Sequence, residues 1–184
     1  MIIKWVKNCL LWLRIKLFFL IKCCKPYIHM KKLLAIASLI FVTSANAQGL
    51  KVAIGNFDFS DDGMRSSMVE LNYDFGRSND YGVLKPTTGA FITQDSASYA
   101  YIGGKVDFKL GPFVLSPSFG PGYYDQGDGK DLGHELEFKS QIDLGFNFGQ
   151  SSNLSFGYSH LSNASLGDKN PGANSYSFSL SHIF

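Results

Sequence analysis

Between residues 135 and 148 the chain alternates between apolar and polar positions, with only Ser140 polar in the apolar series. Leu136, Phe138, Ile142, Leu144, Phe146 and Phe148 take even positions, and Glu135, Glu137, Lys139, Gln141, Asp143 and Asn147 take odd ones. Successive side chains of a strand point to opposite faces, so this period of 2 predicts a strand with one apolar and one charged face. Four more segments repeat the pattern. Val69, Leu71, Tyr73 and Phe75 alternate with Glu70, Asn72 and Asp74. Ile102, Val106, Phe108 and Leu110 alternate around Lys105, Asp107 and Lys109. Leu154, Phe156 and Tyr158 alternate with small residues, as do Tyr176, Phe178, Leu180 and Phe184 with serines. No segment after residue 48 shows a long helical period. Three weaker strands fill the gaps. Residues 50–59 change hydrophobic phase near Gly55, which predicts a bulge. Residues 82–93 and 113–124 carry Pro86, Pro117 and Pro121, so each is expected to be locally irregular.

The connections alternate as well. Arg77-Ser78-Asn79, Leu110-Gly111-Pro112 and Gly149-Gln150-Ser151 are tight, whereas 126–132 and 163–173 are long and polar. Residues 60–63 and 94–96 are short but polar. An even strand number, with short turns at one end and longer loops at the other, predicts an all-β fold: an eight-stranded antiparallel transmembrane β-barrel of the bacterial outer membrane. A soluble lipocalin-like barrel has the same alternation turned inside out, with an apolar cavity. The C-terminal Phe184, preceded by apolar side chains at 176, 178 and 180, resembles the signal read by the outer-membrane insertion machinery, which is an expected partner. It favours the membrane sense and places both termini on the periplasmic side.

Charge divides the chain in two. Of 17 Lys and Arg, eight lie within the first 32 residues, while all 15 Asp and Glu lie at Asp58 or later. The formal +2 therefore joins a basic leader to an acidic body, and a nucleic-acid partner is not expected. Met30 opens a secretory signal, with Lys31 and Lys32 as its charged start, an apolar stretch over 33–42 and Ala45-Asn46-Ala47 as the cleavage pattern. We read 30–47 as the signal peptide, 48–184 as the barrel, and 1–29 as an extension before the true initiator. Cys9, Cys23 and Cys24 all precede the barrel, so a disulfide framework is not expected in it.

Candidate chemistry is sparse. His134 opens a strand with no evident partner, and His182 lies at the periplasmic end of the last strand. His160 sits in Tyr158-Ser159-His160-Leu161-Ser162-Asn163. His160 and Ser162 share a strand face, with Cα atoms roughly 6.5–7 Å apart. An imidazole beside a serine hydroxyl is the minimum for nucleophilic acyl transfer. Both continue the even series of Leu154, Phe156 and Tyr158, so the pair faces lipid near the outer rim. A nucleophile there would meet outer-leaflet lipid, which in such a membrane is lipopolysaccharide. No Gly-x-Ser-x-Gly elbow and no metal-ligand spacing accompanies the pair.

His160-Leu161-Ser162-Asn163-Ala164, then Asn170-Pro171-Gly172, then a strand ending in Phe184, resembles the PagL-type lipid A 3-O-deacylase family, the acyloxyacyl hydrolases. The stretch 124–133 and Leu136-Glu137-Phe138-Lys139-Ser140 are similar as well. The resemblance covers about the last 110 residues. It implies an eight-stranded outer-membrane barrel that hydrolyses the acyl ester at the 3-position of lipid A, with no metal or organic cofactor. Ser162 would be the nucleophile and His160 the base, with Asn163 and Asn170 shaping the site or its oxyanion pocket. One departure stands out: the place of the family's triad glutamate falls at Asn174. An amide can orient the ring but carries no charge. Asp168, in the preceding loop, is a possible substitute acid. The competing function is a non-catalytic barrel for adhesion, stability or lipid binding.

Overall fold

In the computed structural model the described residues are 47–75 and 84–183. The leader, the export signal up to Asn46, the turn at 77–79 and Phe184 lie outside them. Nine antiparallel segments follow one another: β1 (Ala47–Phe57), β2 (Ser66–Phe75), β3 (Leu84–Thr93), β4 (Ser98–Val106), β5 (Phe108–Leu110), β6 (Phe113–Asp125), β7 (Leu136–Phe148), β8 (Ser152–Ser162) and β9 (Ala173–His182). β4 and β5 pair with β6 in one register, so they are two lengths of a single stave. The barrel therefore has eight staves. It closes because β1 pairs with both β2 and β9, and β4 pairs with both β3 and β6.

Alternation decides which way each stave faces. Ile142, Leu144 and Phe146 are exposed on the outer wall, together with Val52, Ile54, Val69, Ile102, Phe156, Phe178 and Leu180. Glu137, Lys139, Gln141 and Asp143, the odd series of the same strand, are buried inside. A continuous apolar band on the outside and ions within is the membrane sense of the fold. No described helix is long and apolar enough to cross a bilayer.

The interior has two layers. At the long-loop end Phe57, Phe91, Tyr99, Tyr124, Leu132 and Leu161 form an apolar plug. Beneath it the lumen is filled by ion pairs: Lys139 with Glu70, Lys51 with Asp143, Lys105 with Asp74, and Lys85 with Asp107. Asp143 also accepts from Gln141 Nε2 at 2.8 Å. Such added bonds are what a buried pair requires, since each ion loses its hydration on entering. A cavity of about 480 Å³ opens at the short-turn end, lined by Lys51, Asp74, Lys85, Lys105 and Asp107 among others.

One sequence expectation is corrected here. No bulge occurs at Gly55: β1 stays in register with β2 and β9 through it. The hydrophobic phase changes because Phe57 points inward, into the apolar plug, while Ile54 points outward. Gly55 matters for another reason. A Cβ there would lie 2.1 Å from the Tyr176 carbonyl oxygen, so only glycine lets β1 and β9 approach this closely. The prolines of β6 do not disturb its ladder with β7, which runs from Phe113↔Phe146 to Tyr123↔Leu136. The expected irregularity of this strand falls on the other edge, where pairing lapses at Pro121, between Tyr101↔Gly122 and Gly104↔Phe119, and at Pro117, between Lys105↔Ser118 and Phe108↔Leu115.

Candidate active site

The upper ends of β8 and β9 carry the candidate residues. Register places His160 directly opposite Asn174, and Tyr158 opposite Tyr176. All four lie on the outward face. Directly paired residues bring their Cβ atoms about 4.5–5.5 Å apart, and here the side chains meet. His160 Nδ1 lies 2.8 Å from Asn174 Oδ1. The Tyr158 hydroxyl donates to the same oxygen at 2.9 Å, reaching diagonally from two residues lower on β8. An amide oxygen has two lone pairs, and these two donors use both. With Nδ1–H donating to Asn174, the ring keeps Nε2 unprotonated, which is the form a general base requires.

Ser162 follows on the same face, one step nearer the rim and opposite Phe138 of β7. Among the described residues no hydrogen bond joins its hydroxyl to the imidazole. Catalytic bonds of this type are often long before substrate is bound. The backbone at Gly172 packs against the ring: its φ is +62°, and a Cβ there would lie 2.9 Å from His160 Cε1. Glycine is the residue that takes this conformation without strain. It also leaves the imidazole the space it occupies.

The loop between β8 and β9 is built around Asn163, which is fully buried. Its Nδ2 donates to the Leu132 and Lys169 carbonyls, each at 2.8 Å, and its Oδ1 accepts from Ser165 N at 2.9 Å. Asn163 thus spends its whole amide holding the loop. Asn170 Oδ1 accepts from Asn163 N at 3.1 Å. A backbone N–H can only donate, so the Asn170 oxygen is committed and its Nδ2 hydrogens are turned elsewhere. Lys169 binds Asp131 at 2.7 Å, linking this loop to the one between β6 and β7. The Lys169 side chain, and then the Gly133 N–H, hold the exposed Asp131 carboxyl below its usual range.

Asp168 is on the same loop. Among the described residues no hydrogen bond or ion pair joins it to the ring, whose Nδ1 is taken up by Asn174. His134 is not without a partner: its Nδ1 accepts the Leu136 N–H at 2.9 Å. His182 Nδ1 lies 3.2 Å from the Ser152 hydroxyl, at the opposite end of the barrel. Among the described residues no group of three His, Cys, Asp or Glu side chains is arranged to hold a metal ion.

The sequence did not reveal the contribution of the β1–β2 loop. Phe59 N donates to the Asn174 carbonyl at 2.9 Å, carrying the β1–β9 contact past the end of β1. Asp58, fully buried at φ 51°, accepts the Asn174 N–H at 3.3 Å and the Ser60 hydroxyl at 3.3 Å through the same oxygen. Its other oxygen binds Lys130 at 2.6 Å. Asn174 Nδ2 donates to Ser60 Oγ at 3.2 Å. Below the site, aromatic rings pave the wall: Phe59 lies 5.4 Å from Tyr176 and 6.2 Å from Tyr158, and Phe156 lies 5.2 Å from Phe178. In a closed barrel the first and last strands are neighbours. That rule alone would have pointed to residues just after β1 as companions of Asn174.

Comparison with known proteins agrees with the barrel fold. The family model described as "Lipid A 3-O-deacylase (PagL)" matches residues 66–182. The crystal structure of the outer membrane enzyme PagL superposes with a TM-score of 0.58 at 18% identity, covering 74% of this chain and 99% of that one. A de novo designed transmembrane β-barrel superposes at 0.54 with 12% identity, covering 76% and 96%. No curated protein sequence matches the chain.

Proposed function

The chain belongs to the lipid A 3-O-deacylase (PagL) family of outer-membrane β-barrels, and from that membership and the geometry at His160 we propose that it is an esterase that removes the 3-O-linked acyl chain of lipid A. The observation that carries the reading is the bond between His160 Nδ1 and Asn174 Oδ1. It leaves Nε2 as a base on the same outward face as the Ser162 hydroxyl. The pair lies at the long-loop end, where the outer wall meets outer-leaflet lipopolysaccharide.

In this mechanism His160 Nε2 takes the proton of Ser162 Oγ as that oxygen attacks the ester carbonyl carbon. The tetrahedral intermediate collapses, and the bond from the carbonyl carbon to the sugar 3-oxygen breaks. The imidazolium returns its proton to the departing alkoxide. Water, activated by the same Nε2, then hydrolyses the Ser162 acyl ester and releases the fatty acid. The developing oxyanion needs donors that are free to point at it. Asn163 has none left in its side chain, whereas Asn170 keeps its Nδ2 hydrogens uncommitted and is the better candidate of the two. No metal or organic cofactor is needed for these steps.

The amide at the place of the triad acid favours a second reading, a barrel of the same family that no longer turns over. One experiment separates the two. Lipid A from cells expressing the wild type is expected to lose one acyl chain by mass spectrometry, and lipid A from cells expressing Ser162→Ala is expected to keep it. If both retain every chain while the barrel is folded in the membrane, the non-catalytic reading stands.

A further inference from the structure

An asparagine in the place of a triad carboxylate creates a problem of orientation. Either oxygen of a carboxylate accepts a proton from imidazole, so its rotation is immaterial. An amide has one accepting end and one donating end. Facing the ring with oxygen, it holds the proton on Nδ1 and leaves Nε2 as the base. Facing the ring with nitrogen, it donates to Nδ1, drives the proton to Nε2, and leaves nothing to accept from Ser162. Something must therefore choose the orientation. The Tyr158 hydroxyl cannot, because a phenol both donates and accepts.

Asp58 can. Lys130 Nζ lies 2.6 Å from its carboxylate, and a carboxylate in an ion pair only accepts. Ser60 has a single hydroxyl proton, and the Asp58 oxygen 3.3 Å away can take only that proton. Ser60 Oγ is then left as an acceptor towards Asn174, 3.2 Å away. An acceptor there demands the NH2 end of the amide, which turns Oδ1 towards His160 at 2.8 Å. Every bond in the series runs one way, from the ring towards Asp58, because the terminus can only receive. The Lys130 ammonium neutralises most of the Asp58 charge, so the chain supplies direction rather than field.

We infer that Ser60 and Asp58 are positioning residues for the deacylation: they hold the Asn174 amide with its oxygen towards His160 and so keep the imidazole in the Nδ1–H tautomer. The inference deepens the reading of Ser162 and His160 as nucleophile and base, and rests on it for its kinetic consequence. Asp58 has a second duty on the Asn174 backbone N–H, so its loss also loosens the β1–β9 contact. Ser60 is exposed and lies outside any strand, which makes Ser60→Ala the cleaner variant.

The test uses the full chain in detergent micelles with 15N-labelled histidine. Two-bond proton–nitrogen correlation spectra at alkaline pH show which ring nitrogen carries the hydrogen. A His160→Gln sample assigns the signals. Wild type is expected to show the Nδ1–H form, and Ser60→Ala and Asp58→Asn are expected to shift His160 towards Nε2–H. In lipid A hydrolysis, kcat for Ser60→Ala should fall about tenfold or more with KM little changed. The ceiling is the roughly 10⁴ that the wrong tautomer costs in a serine-protease triad, an example from another enzyme. Adding Asn174→Asp to Ser60→Ala should restore the rate, because a carboxylate needs no orienting partner. A purely structural role for Ser60 would leave the tautomer unmoved and would give no rescue. A wild-type Nε2–H tautomer, or a His160 spectrum indifferent to Ser60→Ala, overturns the inference. If the tautomer responds as stated but no form of the protein releases fatty acid, the orienting chain stands and the esterase reading fails.

Discussion

At the scale of single residues, the difference between an amide and a carboxylate at position 174 sets what the site can do. Asn174 orients the imidazole but gives its positive form no counter-charge. A neutral hydrogen bond is worth about 1 kcal/mol and one to a charged group about 1.5–3. The missing charge therefore costs about 0.5–2 kcal/mol in the step where imidazolium forms, or about two- to thirtyfold in rate. Asn174→Asp leaves the acceptor oxygen at its present 2.8 Å from Nδ1. It is expected to raise kcat by about tenfold, measured as fatty acid released by the purified protein in detergent. A variant slower than wild type would mean that the amide suits this site better than an acid. The sequence marked His160, Ser162 and Asn174 through spacing, parity and the family resemblance. It did not mark Ser60, Asp58 or the second donor Tyr158. Their roles depend on side chains meeting across strands, and neither spacing nor composition records that.

At the scale of the strand, one rule organises the structure: residues two apart share an environment. β7 shows it most clearly, with Ile142 on the outer wall and Gln141 and Asp143 in the lumen. The rule gives a sharp contrast. Ile142→Arg is expected to cost about 2–4 kcal/mol if the site lies near the bilayer midplane, read from denaturant unfolding in lipid vesicles. A cost near zero would place Ile142 at the interface instead. The same rule misleads where the interior is itself apolar. Phe57 follows Ile54 out of phase because the plug at the long-loop end takes aromatic side chains inward. A hydrophobic pattern records only that a side chain avoids water. Lipid and an apolar core satisfy it equally.

At the scale of the whole barrel, ion pairs hold the lumen together. Lys139 and Glu70 are both buried, and the Lys139 ammonium also lies 5.2 Å from the Tyr101 ring and 5.9 Å from the Phe91 ring. Removing one partner strands the other. Glu70→Ala is therefore expected to destabilise the barrel by about 3–5 kcal/mol. Adding Lys139→Met removes the stranded ammonium and should recover most of that loss. Equal destabilisation in the single and double variants, measured by unfolding in detergent, would show that packing rather than charge holds this layer. These pairs join strands far apart in the chain, Lys51 to Asp143 and Lys139 to Glu70, so they also lock the register of the closed sheet.

Alternation along the clearest strands determined the antiparallel all-β class and which residues share a face, because a period of 2 maps directly onto two faces; the C-terminal Phe184, not the alternation, pointed to lipid as the apolar side. Parity likewise placed His160 and Ser162 on the apolar face of their strand. Closure of the barrel decided the rest. It set β1 beside β9, which carried Asp58 and Ser60 to the back of Asn174 although well over a hundred residues separate them in sequence. It also chose the lysine–aspartate partners, and which asparagine is spent on the loop and which is left with donors. Those outcomes follow from three-dimensional adjacency and from the direction in which each hydrogen bond can run, and a one-dimensional pattern carries neither.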